Sequence, residues 1–139
     1  MCRSTIGMLA MAALAVSACG ATSQGATTPR PPAPVNLTVY IDNTRVSAAP
    51  TTVGAGPVAF IITNQASQAE SLAVQRDGNG AGQPLANTGP INPLATAEVT
   101  VNFTSPGRYL LSTDGGSIKP ASIRIGRPRP SSDNQVLQP

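Results

Sequence analysis

The chain of 139 residues has no histidine and no tryptophan, and its two cysteines and three methionines all lie within the first nineteen positions. From Gly20 onward there is no imidazole, thiol or thioether. That removes the Ser–His and Cys–His pairs of nucleophilic catalysis and the soft ligands of copper sites. No disulfide can form in that stretch, so its stability must come from packing. Aromatic residues make up 3% of the chain. Tyr40, Phe60, Phe103 and Tyr109 are therefore all that could stack on a base, and nucleic acid is not an expected partner. Charge is sparse too. Beyond Arg3, eight Arg and Lys face six Asp and Glu, so the charge is nearly balanced. No apolar run reaches the roughly 20 residues that a membrane-crossing helix needs.

What is present first is a leader. Arg3 gives a short basic head, Ile6 to Val16 an apolar run, and Ser17-Ala18-Cys19-Gly20 a small-residue site. This is the pattern of a secretory signal. Val16-Ser17-Ala18-Cys19 resembles the bacterial lipobox. The resemblance implies a signal peptide over 1–18, cleavage before Cys19, acylation of the Cys19 sulfur, and a lipid anchor in a cell membrane facing outside the cytoplasm. Several acyl chains at about 0.8 kcal/mol per buried CH₂ make such an anchor effectively permanent. Residues 19–34 follow as GATSQGATTPRPPAP after the cysteine. With no large apolar side chain, this segment cannot offset its ordering entropy and is expected to be a disordered tether. Residues 127–139, RPRPSSDNQVLQP, show no alternation and are expected to be a disordered tail.

Between them, residues 35–126 form one small domain with a period of two. Val35, Leu37, Val39 and Ile41 alternate with polar neighbours, as do Val58, Phe60 and Ile62, and Ala97, Val99, Val101 and Phe103. Leu72 with Val74, Tyr109 with Leu111, and Ile123 with Ile125 mark three shorter strands. Gly54–Pro57, Asn64–Ser67, Asp77–Gly80 and Pro106-Gly107 read as turns. The spacing predicts an all-β, antiparallel Greek-key sandwich or barrel with no helix. Residues 87–96, with Gly89, Pro90 and Pro93, read as the connection crossing between sheets. Ser105-Pro106-Gly107-Arg108-Tyr109 fits a tyrosine corner, which makes Tyr109 structural.

In order, these residues resemble the cupredoxin family. Gly54-Ala-Gly-Pro-Val-Ala-Phe-Ile-Ile-Thr-Asn64 is similar to its glycine turn and apolar strand ending in Asn, and Pro106-Gly107-Arg108-Tyr109 to the turn before its cysteine-bearing strand. The resemblance implies a Greek-key β-sandwich and, in the family, copper held by two histidines, a cysteine thiolate and usually a methionine. Glu70 stands at the first histidine position and Thr113 at the cysteine position. Asp114-Gly-Gly-Ser-Ile-Lys119 offers neither the second histidine nor the methionine. Blue copper is excluded by this donor chemistry, and no cofactor is expected.

Other chemistry is thin. Asp77-Gly-Asn-Gly-Ala-Gly82 echoes a calcium loop, but Ala81 and Thr88 fall at two ligand positions, and Asn79-Gly80 is a good hairpin turn. A Ser117–Lys119 pair lies in a loop expected to be solvated. Arg124, Arg127 and Arg129 cluster near the tail, where they read as a solvated basic segment or a contact for anionic polymers or headgroups. The reading is a non-enzyme: a lipid-anchored, metal-free cupredoxin-like module of the bacterial envelope. It would bind an unknown protein or envelope polymer through Glu70, Ser71, Thr113, Asp114 and Gly115. The alternative is a metal-handling lipoprotein that carries iron or another hard cation on Glu70 and Asp114.

Overall fold

The structure is a computed structural model that describes residues 30–78 and 82–131. The expected signal peptide, Cys19, most of the tether, Asn79–Ala81 and the tail beyond Ser131 lie outside the described residues. Eight strands follow one another: β1 (Val35–Ile41), β2 (Val46–Ala49), β3 (Thr52–Asn64), β4 (Glu70–Arg76), β5 (Ala86–Ile91), β6 (Thr96–Phe103), β7 (Gly107–Thr113) and β8 (Ala121–Pro128). There is no helix among the described residues. Period-two alternation is the cause of β1, where Leu37, Val39 and Ile41 are fully buried, and of β7, where Tyr109, Leu111 and Thr113 turn inward.

The strands make two layers. In one, β2, β1, β3 and β6 lie side by side; in the other, β8, β7, β4 and β5 do. Strand β3 belongs to both, because its first residues run beside β8 and its remainder between β1 and β6. The register shifts between Gly54 and Ala55, and Gly56 takes a φ of 129°, open to glycine and strained for other residues. Gly54–Pro57 is where the chain reverses, from running with β8 to running with β1, as its turn composition predicts, although β3 continues through it. A Cβ on Gly54 would lie 2.6 Å from Arg129 Cγ and 3.0 Å from the Arg127 carbonyl, so the bend also depends on glycine for space.

Some expectations are corrected. The sandwich is mixed and not antiparallel, since β1 and β8 both pair with β3 in parallel. Strands β2 and β5 were not expected, and the crossing connection shrinks from 87–96 to the short segment between Ile91 and Thr96. The domain does not stop at Gly126. β8 continues to Pro128, and the Arg129 side chain holds the last described residues to the sheet, its Nη1 donating to the Ala33 carbonyl at 2.6 Å, its Nε to the Ala55 carbonyl at 3.4 Å and its Nη2 to the Pro57 carbonyl. The end of the expected tether, through Ala33, is therefore docked on the domain.

The core lies between the layers. Phe60 and Phe103 meet edge-to-face at 6.1 Å, and Phe103 meets Tyr109 of the opposite layer at 4.7 Å. Such contacts add about 0.5–1.5 kcal/mol beyond burial. Tyr109 Oη donates to the Ser105 carbonyl at 2.9 Å, the tyrosine corner that the sequence predicts. Parallel register of Ile41 with Asn64, and antiparallel register of Leu72 with Thr113, gather the turns after β1, β3, β5 and β7 at one end of the sandwich. Residues 30–34 and 129–131 lie together at the other end.

Candidate functional site

The end formed by the four turns is held by backbone pairing and by one asparagine. Asn64 closes β3 with no exposed surface. Its Nδ2 donates to the Gln68 and Ile91 carbonyls, both at 2.8 Å, and its Oδ1 accepts from the Ala66 amide at 2.9 Å. Every one of these partners is backbone, so one side chain fixes both the 64–70 turn and the end of β5. The Asn64 carbonyl also accepts from the Leu94 amide at 2.7 Å. Leu94 follows Pro93 with φ at 63° and stands 84% exposed, an apolar side chain at the tip of this end. Composition carries no signal for Leu94, because residues 87–96 read as an ordinary crossing connection.

The turn after β1 is built around Asp42. Its Oδ1 accepts from the Thr44 hydroxyl at 2.6 Å, the Thr44 amide at 2.7 Å and the Arg45 amide at 2.8 Å. The Thr44 hydroxyl first, then these amides and the Arg45 charge, hold its carboxyl below the ordinary aspartate range. Asn43 Oδ1 accepts from the Ser67 amide at 2.9 Å and so ties this turn to the next. Asp-Asn-Thr between two apolar runs is an Asx-turn signal that a closer sequence reading could have used.

Glu70, Ser71, Thr113, Asp114 and Gly115 all fall at this end. Glu70 opens β4 half-buried beside Ile91, and Ser71 is half-buried beside Pro90. Thr113 closes β7 opposite Leu72, and Asp114 and Gly115 stand exposed in the turn beyond it. The register sets Glu70 and Ser71 on the strand next to Asp114 and Gly115, but no hydrogen bond or ion pair joins Glu70 to Asp114. Thr113 is 7% exposed, and its Oγ1 is buried with no hydrogen-bond partner. A buried hydroxyl without a partner costs about 1–3 kcal/mol.

The turn of 114–120 is closed by Ile118, which is 5% exposed and part of the core. The Lys119 amide donates to the Thr44 carbonyl at 2.9 Å, and the Val46 amide to the Lys119 carbonyl at 2.8 Å. Lys119 is thereby bound through its backbone to the β1–β2 turn and does not pair with Ser117. Among the described residues, no group of three or more His, Cys, Asp or Glu is gathered to hold a metal ion. The calcium-like segment lies at the other end, with Asn79–Ala81 outside the described residues.

By sequence, no family model and no curated protein matches the chain. Solved structures do match its fold. Auracyanin A, a "blue" copper protein from Chloroflexus aurantiacus, superposes with a TM-score of 0.51 at 16% identity over 68% of this chain and 100% of its own. The dithionite-reduced auracyanin from Roseiflexus castenholzii gives 0.50 at 13% identity over 67% and 96%. The fold is cupredoxin-like. The copper that this fold carries in the family does not fit the residues present, since Glu70, Thr113 and Ile118 supply no imidazole, thiolate or thioether at this end.

Proposed function

We propose that the chain is a lipid-anchored, cupredoxin-like binding module of a bacterial cell envelope, without catalysis, that meets its partner through the turns at the end away from its N-terminal segment. The observation that carries the reading is the character of that end. Leu94 offers an exposed apolar side chain at the same end as the Asp114-Gly115 turn and Glu70–Ser71, while the Asn64 latch ties the 64–70 turn to the end of β5. Rigid scaffolds presenting turns at one end are the usual setting for recognition in sandwich folds. Residues 30–34 leave at the opposite end, so an anchor on Cys19 would leave these turns facing outward.

Two experiments test this. A photo-crosslinking amino acid at Leu94 or Asp114 in cells should capture one partner of the same mass, and the same probe at Thr100 on exposed β6 should not. No adduct, or equal adducts at all three positions, would remove the binding reading. Metabolic labelling with a palmitate analogue should mark the wild-type chain and not Cys19→Ala; labelling of both would remove the anchor.

One observation keeps a second reading in view: adjacent strand ends carry Glu70 and Asp114. A hard cation such as iron or calcium, handed over by two carboxylates, is compatible with that placement. Dialysis of residues 20–139 against each cation, followed by elemental mass spectrometry, should show stoichiometric metal that Glu70→Ala abolishes if this reading holds.

A further inference from the structure

Charge is segregated along the sandwich in a way that its near-neutral total conceals. At the end where residues 30–34 emerge lie Arg76, Arg108, Arg124, Arg127 and Arg129, with Asp77 as the acidic group among them. The opposite end carries Asp42, Glu70 and Asp114 against Arg45 and Lys119. Three of the arginines lie on neighbouring strands. Arg76 closes β4, Arg108 sits near the start of β7, and Arg124 faces Arg108 directly in the β7–β8 register.

Arg108 and Arg124 alternate with the inward Tyr109, Ile123 and Ile125, so both project from the outer face. Like charges directly opposite across two strands are destabilising. Among the described residues, one long contact of 4.0 Å, to Asp77, itself 39% exposed, compensates Arg108, which is 69% exposed. Arg76 reaches over the Tyr109 ring at 6.0 Å, with its Nη2 3.4 Å from the Pro106 carbonyl. Next to it stands Leu85, 53% exposed, fixed by its amide to the Val74 carbonyl at 2.7 Å. Arg76, Leu85 and Leu110 border one concavity of about 320 Å³. Cationic side chains around an exposed leucine are the features of a surface that settles at the headgroup boundary of a bilayer.

We propose that this end is a second contact surface, which lays the domain on anionic phospholipid headgroups. It rests on the anchor reading only for its setting, because the contact needs no acyl chain. Arg108, Arg124, Arg76 and Arg127 supply the attraction and Leu85 the apolar insertion. An anchored domain would then lie against its membrane with the Leu94 end outward, instead of ranging freely on its tether.

The test uses the chain from Gly20 to Pro139, which carries all eight strands and no Cys19. Its partition onto vesicles of phosphatidylcholine with about one-third phosphatidylglycerol is measured by cosedimentation. The wild type should bind these vesicles, ignore pure phosphatidylcholine, and be released by about 0.5 M salt. One arginine near an anionic surface raises partition about fivefold, so Arg108→Gln with Arg124→Gln should lower it roughly 25-fold. Arg45→Gln with Lys119→Gln should leave it unchanged. Circular dichroism checks that each variant is folded, which exposed substitutions on strand faces permit. Equal binding to neutral vesicles, no binding to anionic ones, or loss with the Arg45 and Lys119 changes alone would overturn the proposal. None of these outcomes bears on acylation, which the palmitate label reads separately.

Discussion

Replacing Asn64 measures what holds the turn-bearing end together. In Asn64→Ala three hydrogen bonds disappear at once. The Gln68 carbonyl is near solvent and can take a water, but the Ile91 carbonyl and the Ala66 amide are left buried. Each such orphaned group costs about 1–3 kcal/mol, so the two together put the expected loss at about 2–6 kcal/mol. For a domain of this size that lowers Tm by roughly 10–30 °C. Asn64→Asp separates hydrogen bonding from shape. The new carboxylate would keep the Ala66 contact but face two carbonyls with an oxygen in place of the NH₂, which favours its neutral form and raises its pKa above the ordinary value of about 3.9. A raised folded-state pKa means stability that is present below the unfolded pKa and lost as pH rises through the folded one. Asn64→Asp should therefore approach wild type near pH 3.5 and be at least as unstable as Asn64→Ala at pH 7. Urea unfolding followed by far-UV circular dichroism at both pH values, each against wild type, reads both differences. A cost under about 1 kcal/mol for Asn64→Ala, or a pH-independent gap for Asn64→Asp, would refute the latch.

Other perturbations probe single features. Thr113→Val removes a buried hydroxyl that has no partner and should stabilise the domain by about 1 kcal/mol, seen as a higher urea midpoint; a loss of stability would mean that the hydroxyl is bonded. Tyr109→Phe deletes the bond to the Ser105 carbonyl and should cost about 0.5–1.5 kcal/mol in the same assay, whereas a catalytic or binding role would leave stability untouched. Asp42 has a lowered carboxyl pKa, so the stability it contributes is present above the ordinary aspartate pKa and fades as pH falls through the folded value. Melting curves of wild type and Asp42→Asn should diverge at neutral pH and converge in acid; parallel curves across that range would reject the Asx turn as the cause.

Which strands could be read from the sequence follows from how each is buried. Strand β1 buries Leu37, Val39 and Ile41 against the opposite layer while pairing on both sides, so its alternation is written in large apolar residues. Strands β2 and β5 end the sheet order. Each has a neighbour on one side and buries one large side chain, Val46 or Ile91. Burial produces the alternation, and with one buried residue there is none to read; Gly89 and Pro90 then look like a connection when they are edge-strand residues. The last residues of β8 and Arg129 lack a signal for a related reason. Arg129 and Pro128 carry no hydrophobic signal, yet Arg129 docks on three carbonyls that a glycine-bearing bend brings within reach, a contact legible only in three dimensions.

At the site, the sequence could show which donors were missing but not what replaced them. A metal bound by residues at the Glu70, Thr113 and 114–119 positions would cross-link β4, β7 and the turn after β7. Here the same three segments are joined by the Leu72–Thr113 register, by Asn64 reaching both the approach to β4 and the end of β5, and by Lys119 bonding to Thr44 and Val46. Ile118 fills the interior with hydrocarbon. These contacts are backbone pairs, one asparagine and one isoleucine, and none involves Glu70, Asp114 or Gly115. Substitution of those three residues should therefore change recognition with little effect on stability, whereas Asn64 and Ile118 variants should change stability first. That division separates the surface proposed to bind from the frame that holds it.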